Sequence, residues 1–488
     1  MDFTILSHAG LRVRHAGREL VCDPWLVGSC YWRSWWNYPP VARQLVDALA
    51  PDFVYLTHFH WDHFQGDSLR RLGTHVHVLI PREPAGRMRH DLADMGFATV
   101  TELDHARPFR VGADFVVTSY HFGHHMTDSA LVIEAGGVTL LDANDAKLMG
   151  GPLRQLLDRH APIDFLLRSH SSANPRACFE WTDAAERPAD DNESYIEDFL
   201  ALADAVQPRY AIPFASNQCY LHPATERFNA AACTPDMVVR RAGARGTRYD
   251  VRAMVSGDSF DTERGFDVVP NTWFSDRATH LRAYRERVAP KLAATEARER
   301  RTPIRLEHVE RYFGPFLAAL AWPLRRLFQD RPFVYRVRDA SGGTPVEKRF
   351  VLDVYRRTIV ELAAGAAGPH RAREICLDAA VMRQCIAKKI FSHLGISKRV
   401  TYRSRADERW LFELWFTLTT AYENELLPLR GIEWPRFVAC WLRRWREPLL
   451  YLRILAVRLA RGRARYDDFL PARPDGVAQQ PAAEAGDR

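Results

Sequence analysis

Residues 52–63 read Asp52-Phe-Val-Tyr-Leu-Thr-His-Phe-His-Trp-Asp-His63. The run Phe53–Leu56 is continuous, apolar and rich in β-forming residues, which predicts a buried strand. His58 and His60 follow two residues apart in an extended segment, so both imidazoles point to the same side. Two imidazoles at one strand end can share a metal ion.

Asp62 and His63 follow where the chain turns toward a helix expected around Ser68–Leu72. These two side chains can bind a second metal ion beside the first. Three histidines and one aspartate within six residues favour a metal site over a surface histidine cluster. We therefore expect one or two divalent metal ions, iron or zinc. Asp62 and His63 are the candidate catalytic residues, since Asp62 can also orient an attacking water or take its proton.

The composition is that of an ordinary globular protein. The chain has 488 residues, 47% hydrophobic and 26% charged, and this length predicts two or three domains. The 67 Lys and Arg exceed the 60 Asp and Glu by 7, an excess too dilute to indicate nucleic-acid binding. The sequence has no signal peptide, no apolar run long enough for a membrane helix and no CxxC pair, so we expect a cytoplasmic protein.

Strands and helices alternate in the first half of the chain. Three short β-like runs open it, and several later runs of β-formers follow the motif. We predict an α/β fold with a catalytic domain over residues 1–250 and a mostly helical C-terminal domain over residues 251–470. The tail, residues 471–488, is rich in Pro, Ala, Gly and Gln and is expected to be disordered.

The HxHxDH pattern of residues 58–63, after a buried strand in a chain that opens with a β-meander, resembles the metallo-β-lactamase superfamily. That resemblance implies an αββα sandwich with the metal site at one edge of the two sheets. Asp23, in Val21-Cys-Asp-Pro-Trp-Leu26, matches the family's second-strand aspartate, which usually supports the site rather than binding metal.

The resemblance implies a further histidine ligand before a later strand. Tyr120-His-Phe-Gly-His-His125 matches the family's third motif. His124 is the first choice because it lies a short loop before the next strand, and His121 and His125 are its rivals.

The resemblance also implies a metal-bridging aspartate at the end of a strand. Leu140-Leu-Asp-Ala-Asn-Asp145 lies at the matching position. Asp145 fits the offset from strand to loop, and Asp142 is the second candidate. The other interpretation of either carboxylate is a cap on the following turn.

The last ligand that the family implies is a histidine just after the final core strand. This chain carries Phe214 and Ala215 there, while His222 lies later and could fold back, and His170 is another candidate. This departure leaves open whether the centre holds one metal ion or two. The full set of expected ligands is His58, His60, His124, Asp62, His63 and His222, with Asp145 bridging.

Four stretches carry a closer resemblance: Cys22–Gly28, Trp35-Trp36, Pro208–Ala215 and Leu221-His-Pro223. They resemble the metallo-β-lactamase-like part of CMP-N-acetylneuraminate hydroxylases. That family carries a Rieske iron–sulfur domain, whereas this chain starts directly at the meander and none of its eight cysteines is placed for such a cluster. The resemblance implies an iron-dependent oxygenase or hydroxylase acting on a polar small molecule, with electrons from a separate reductase or ferredoxin.

Two other functions stay open. The superfamily's usual chemistry and the absence of Rieske motifs favour a zinc-type hydrolase of an ester, amide or phosphodiester. A non-catalytic binding protein could keep the same fold, although the nearly complete ligand set argues against it.

Two further segments allow more than one interpretation. The aromatic residues of Tyr31–Tyr38 either pack over the sheet edge or stack on a substrate. The stretch Trp441–Arg465 holds eight Arg and one acid between apolar residues and predicts a basic helix. Such a helix either packs on the core with its arginines in solvent or contacts a partner or an anionic membrane surface.

Overall fold

The computed structural model describes residues 1–184 and 192–471. The strands are β1 Asp2–Ile5, β2 Leu11–His15, β3 Arg18–Cys22, β4 Ser29–Cys30, β5 Trp35–Asn37, β6 Phe53–Tyr55, β7 His77–Pro81, β8 Val100–Leu103, β9 Pro108–Gly112, β10 Phe115–Phe122, β11 Asp128–Ala135, β12 Val138–Asn144, β13 Phe165–Ser169, β14 Phe179–Trp181, β15 Tyr210–Phe214, β16 Gln218–Tyr220, β17 Asp250–Val251, β18 Ser259–Asp261, β19 Gly265–Asp267, β20 Phe333–Asp339, β21 Val346–Asp353, β22 Thr358–Leu362, β23 Arg373–Asp378 and β24 Val400–Ser404. The α-helices are α1 Arg43–Asp47, α2 Gly66–Leu72, α3 Arg87–Asp94, α4 Gly150–His160, α5 Asn192–Val206, α6 Pro235–Arg245, α7 Arg277–Glu299, α8 Leu306–Ala319, α9 Trp322–Arg326, α10 Ala379–Lys388, α11 His393–Ser397, α12 Arg409–Glu423, α13 Trp434–Arg443 and α14 Arg446–Arg461.

Two sheets form the centre of the first part of the chain. One has the strand order β19-β18-β1-β2-β3-β6-β7-β8 and the other β17-β15-β13-β12-β11-β10-β9. Their inner faces share one apolar core, in which the rings of Phe3 and Phe165 lie 5.0 Å apart. Helices α2 and α3 pack on the outer face of the first sheet, and α4, α5 and α6 on that of the second. This is the predicted αββα sandwich.

The strand before the histidine motif has apolar residues on both faces because both faces are covered. Val54 contributes to the cluster under the outer helices, whereas Tyr55 points into the core between the sheets. β6 lies between β3 and β7 and is parallel to both. The strand therefore fixes where residues 58–63 leave the first sheet.

The first sandwich extends past the boundary expected at residue 250. β18 and β19 form a hairpin, and β18 pairs with β1 in the register Phe3↔Phe260. Phe260 adds its ring to the core between the sheets. The charged residues around it hide this strand in the sequence, and the first sheet therefore includes residues that follow position 250.

The C-terminal part combines the helices we expected, α7–α14, with a sheet. It holds a six-stranded sheet in the order β14-β24-β23-β20-β21-β22, with α8, α10 and α12 packed against its core. β14 comes from the first half of the chain and pairs with β24 in the register Phe179↔Tyr402. The two parts therefore share a sheet and a hydrophobic cluster.

Two further expectations concern the C-terminal tail and membrane-spanning helices. The tail expected to be disordered, residues 471–488, lies outside the described residues except for its first position. Within residues 1–184 and 192–471, no helix is both long and apolar enough to cross a membrane.

Candidate metal centre

The histidine motif lies in a tight turn between β6 and α2. The backbone N–H groups of His63 and Phe64 both donate to the carbonyl of His60, at 3.0 and 2.7 Å. This turn gathers the motif's side chains at one edge of the sandwich. His58, Asp62 and His63 are buried, and His60 is partly exposed.

One group of potential ligands combines His58, His63 and Asp145, whose ligand atoms all lie within 4.8 Å of one another. Nε2 of His63 lies 3.4 Å from Oδ2 of Asp145, and the rings of His58 and His63 are 4.2 Å apart. Asp145 follows β12, where Asn144 has φ +50° and turns the chain back toward the motif. The structure therefore places Asp145, the predicted bridging residue, beside the histidines.

A second group combines His8, Asp62 and His63. Oδ2 of Asp62 lies 3.1 Å from Nε2 of His8 and 3.4 Å from Nε2 of His63. Tyr31 donates its hydroxyl to Oδ1 of Asp62 at 2.5 Å, so both carboxylate oxygens are engaged. His63 belongs to both groups and is the centre of the arrangement.

Asp23 fixes the orientation of His63 without joining either group. Its carboxylate accepts hydrogen bonds from the backbone N–H and hydroxyl of Thr57 and from the amide of Asn144, at 2.8, 2.6 and 2.7 Å. Oδ2 also lies 2.8 Å from Nδ1 of His63. A proton on Nδ1 leaves Nε2 as the ligand atom. Asp23 thus supports the site, as the family resemblance implies.

The electrostatics of the buried histidines favour their ligand form. Burial and the neighbouring His63 and His60 hold the pKa of His58 well below its usual range, and burial lowers the pKa of His60 to about 4. Both imidazoles are therefore neutral near pH 7, which is the state that binds metal.

Carboxylates crowd the other side of His63. Burial opposes a charge on His63, yet Asp62, Asp23 and Asp145 raise its pKa well above the usual range. The pKa of Asp128 is also well above its usual range, because of burial and, after it, the negative charge of Asp145. Nε2 of His63 is buried and forms no hydrogen bond within the described ranges. A divalent cation would satisfy this atom and relieve the repulsion, so the residues fit a metal ion.

Two contributors, His8 and Asp128, escaped the sequence analysis. His8 follows β1, and Asp128 begins β11 with Oδ1 at 3.4 Å from Nδ1 of His58. Each is a single polar residue that lies at a strand end on the same edge of the sandwich as the histidine motif. That position is the signal that could have identified them.

The loop after β10 is arranged differently from our expectation. β10 runs to Phe122, and Gly123 with φ +103° then turns His124 outward, where it is exposed and packs near Tyr451. His125 is more buried, and burial with His124 and His60 as neighbours lowers its pKa to about 4. Of these histidines, His125 rather than His124 faces the motif.

His121 and Asp142, two further candidate ligands in the sequence, belong to neither ligand group, although His63 and Asp145 are among the charged neighbours of Asp142. His121 is buried, with its backbone N–H donating to Nδ1 of His105. Asp142 is buried within β12, opposite Leu131, and burial together with Asp23 raises its pKa well above the usual range.

The structure does not bring His222 to the cluster. Its Nδ1 accepts the backbone N–H of Ala224, and the charged groups around it are Arg399, Asp378 and Arg338 of the C-terminal part. These three residues line a cleft of about 600 Å³ apart from the metal-binding residues. The turn after β16 directs His222 toward that cleft. His170 is buried with His8 among its charged neighbours.

The C-terminal part covers the site. His393 of α11 is fully buried, and its ring lies 5.3 Å from that of His60 and 5.5 Å from that of Trp61. The ring of Tyr31 stacks on that of Trp61, with 6.1 Å between the ring centroids. The aromatic loop Tyr31–Tyr38 is packed and buried. Within it, the hydroxyl of Tyr31 donates to Asp62.

Comparison with known proteins gives relatives of two kinds, although no family model matches the chain. A Mycobacterium tuberculosis protein named for a Rieske 2Fe-2S iron–sulfur centre is 26% identical over 407 residues, covering 74% of this chain and 73% of that protein. The cytidine monophosphate-N-acetylneuraminic acid hydroxylase of Cricetulus griseus is 32% identical over 164 residues, covering 31% and 28% of the two chains. The chain is similar to the hydroxylases over about a third of its length.

Several solved structures align with about half of the chain. The diiron β-hydroxylase CmlA of Streptomyces venezuelae is 19% identical and covers 53% of both chains, with a TM-score of 0.39. An isothiocyanate hydrolase from Delia radicum gut bacteria is 16% identical, covering 54% of this chain and 98% of its own, with a TM-score of 0.40. The αββα sandwich predicted from the sequence is confirmed by the strand order of the two sheets. The predicted resemblance to the CMP-N-acetylneuraminate hydroxylases is confirmed by the relative from Cricetulus griseus.

Proposed function

We propose that this chain is an iron-dependent hydroxylase of a polar small molecule. The observation that carries the proposal is the donor set around His63, in which Asp62 and Asp145 each bring a carboxylate oxygen to within 3.4 Å of its Nε2. Imidazole combined with carboxylates suits iron, whereas structural zinc sites rely more on thiolate and imidazole. The curated hydroxylase relatives support the same choice.

The residues around the centre have separable tasks. Asp23 holds the ring of His63, and Tyr31 with His8 holds the carboxylate of Asp62. Burial works against the charge of Asp62, but His63 and His8 keep its pKa well below the usual range, so it is ionised near neutral pH. Asp62 therefore stays available as a metal ligand or hydrogen-bond acceptor at Oδ2. Bound iron would supply the oxygen and one-electron chemistry that the side chains cannot.

Hydroxylation needs electrons that this centre does not hold. One oxygen atom of O₂ enters a C–H bond and the other leaves as water, with two electrons and two protons supplied. Within the described residues, neither group of potential metal ligands includes a cysteine. We therefore propose a separate reductase or ferredoxin as the electron donor.

The test measures metal content and oxygen use together. The protein is loaded with ferrous iron or with zinc, and oxygen consumption is followed with reduced ferredoxin as donor and CMP-N-acetylneuraminate as the first substrate probe. Consumption only with iron, coupled to a product heavier by one oxygen atom, supports the proposal. A zinc-loaded protein that turns over hydrolytic substrates without oxygen contradicts it.

A zinc-type hydrolase is the second candidate, favoured by the buried, ionised Asp62. A carboxylate in that state can orient an attacking water by accepting its hydrogen bond, and hydrolysis needs no electron donor. Anaerobic assays with nitrocefin, p-nitrophenyl acetate and bis(p-nitrophenyl) phosphate separate the two functions. Turnover of any of these by the zinc form, abolished in Asp62→Asn, would favour the hydrolase.

A further inference from the structure

Helices α13 and α14 present a continuous apolar stripe to solvent. Its members are large side chains that are about half exposed or more, with Leu442 at 68% and Leu459 at 79%. They recur at intervals of three or four residues, the spacing of one helix face. We define the apolar stripe as Trp434, Val438, Leu442, Trp445, Leu449, Leu452, Leu455 and Leu459.

The opposite faces of both helices are anchored in the protein. Arg436 and Arg443 pair with Glu102 and Asp104 of the first sheet region. Leu450 is buried against Met149 in a small apolar cluster at the start of α4. The stripe is therefore a fixed surface of the fold, and its exposure does not follow from loose attachment of the helices.

Positive charge flanks the stripe. Arg446, Arg453, Arg458 and Arg463 take part in no ion pair with the described part of the chain. Arg446 instead lies over the ring of Trp445 at 4.9 Å. Two acids close in sequence are already engaged, since Glu447 pairs with Arg444 and Asp468 with Arg461, while Glu433 and Asp467 are exposed. The surface thus combines apolar side chains, indole rings and unpaired guanidinium groups.

We propose that the apolar stripe docks this protein on an anionic membrane surface without spanning it. An amphipathic helix with Leu and Trp on one side and Arg at its margins lies in the lipid interface, with its apolar face among the acyl chains and its arginines near the phosphates. Two copies of the chain meeting through this face would bring their unpaired arginines together. The charge pattern therefore favours anionic lipid over a second copy.

Hydrogen bonds connect the apolar stripe's helix to the loop beside the candidate metal centre. Glu447 of α14 accepts the backbone N–H of Gly123 at 2.7 Å, and Arg444 donates to the Gly123 carbonyl at 2.6 Å. Tyr451 packs on His124 in the same loop. Membrane docking through α14 would therefore hold the loop beside the centre at a fixed place relative to the lipid.

Co-sedimentation with vesicles tests the proposal on the whole chain. Vesicles of phosphatidylcholine with phosphatidylglycerol should bind the protein, and vesicles of phosphatidylcholine alone should bind it much less. The double variant Leu452→Glu, Leu459→Glu should lower the partition coefficient at least about tenfold, because it places two charges at the apolar boundary. The variant Arg458→Glu, Arg463→Glu should remove the preference for phosphatidylglycerol.

Leu327→Glu with Val360→Glu is the matched control, since both positions are exposed and apolar but lie outside the stripe. Circular dichroism confirms that each variant is folded. Equal binding by the stripe variant and this control would overturn the proposal, as would no binding of the wild type to either vesicle. A dimer in sedimentation velocity that the stripe variant dissociates would assign the surface to a second copy instead.

Discussion

Oδ2 of Asp23 lies 2.8 Å from Nδ1 of His63, and Asp23 is itself held by Thr57 and Asn144. Because Nδ1 faces a carboxylate, the lone pair of Nε2 is directed toward Asp62 and Asp145. A residue that belongs to neither ligand group thus decides which atom of His63 can bind metal.

The first prediction concerns this supporting carboxylate. Asp23→Asn weakens the partner of His63 Nδ1, and we expect metal affinity to fall about 10–100-fold. Titration with ferrous iron and zinc measures the change. Asp67→Asn is the control, because that carboxylate is exposed on α2 and pairs only with Arg70. Equal affinity in the Asp23 and Asp67 variants would contradict the supporting role.

The second prediction separates two aspartates of one strand end. Asp145→Asn should reduce the metal bound per chain, because Asp145 lies beside His63. Asp142→Asn should leave the metal content unchanged, because Asp142 is buried within β12 and its raised pKa already favours the neutral form. Elemental analysis of both purified variants decides between them. Metal loss in Asp142→Asn alone would show that the other carboxylate bridges.

The third prediction separates neighbouring histidines of the loop after β10. His125→Ala should weaken metal binding more than His124→Ala, because His125 faces His60 and His124 is exposed beside Tyr451. The same titration serves as the measurement. The reverse order would restore His124 as the ligand expected from the sequence.

The fourth prediction is a pH dependence of stability. Burial raises the pKa of Glu83 to about 8, and its Oε2 accepts the backbone N–H of Met88 at the start of α3. The folded state keeps this carboxyl protonated while the unfolded chain releases the proton above its ordinary pKa. The stability that Glu83 contributes is therefore complete below about pH 4.5 and is lost as the pH rises to about 8.

Glu83→Gln removes this titration and keeps an acceptor for Met88. The free energy of unfolding of the variant should exceed that of the wild type at pH 8, by on the order of a few kcal/mol, and the difference should shrink toward pH 4.5. Urea unfolding at several pH values measures it. A difference that does not vary with pH would show that Glu83 is ionised in the folded protein.

The fold could be predicted from the sequence where a single local pattern of residues determines it. The β-forming run before His58 and the spacing of the histidines identify the strand, the turn and the edge of the sheet. Strands such as β22 and β24 were missed because charged residues interrupt their apolar alternation. Their place is set by pairing with distant strands, which no local pattern contains.

Some residues of the candidate site belong to a local motif, and others reach it only through tertiary packing. His58, Asp62 and His63 are contiguous in sequence, and the structure keeps them together. His8 and His393 reach them only through the packing of distant segments, and neither has a sequence neighbour that marks it. His222 was misplaced because the direction of its turn depends on contacts with the C-terminal part.

Counting the metal bound by wild-type protein and by His63→Ala tests the central claim most directly. His63 belongs to both ligand groups, so the account predicts one or two divalent ions per wild-type chain and near-complete loss in the variant. His90→Ala, which removes a half-exposed histidine on α3, should keep the wild-type content. A folded His63→Ala protein that retains all of its metal would contradict the account.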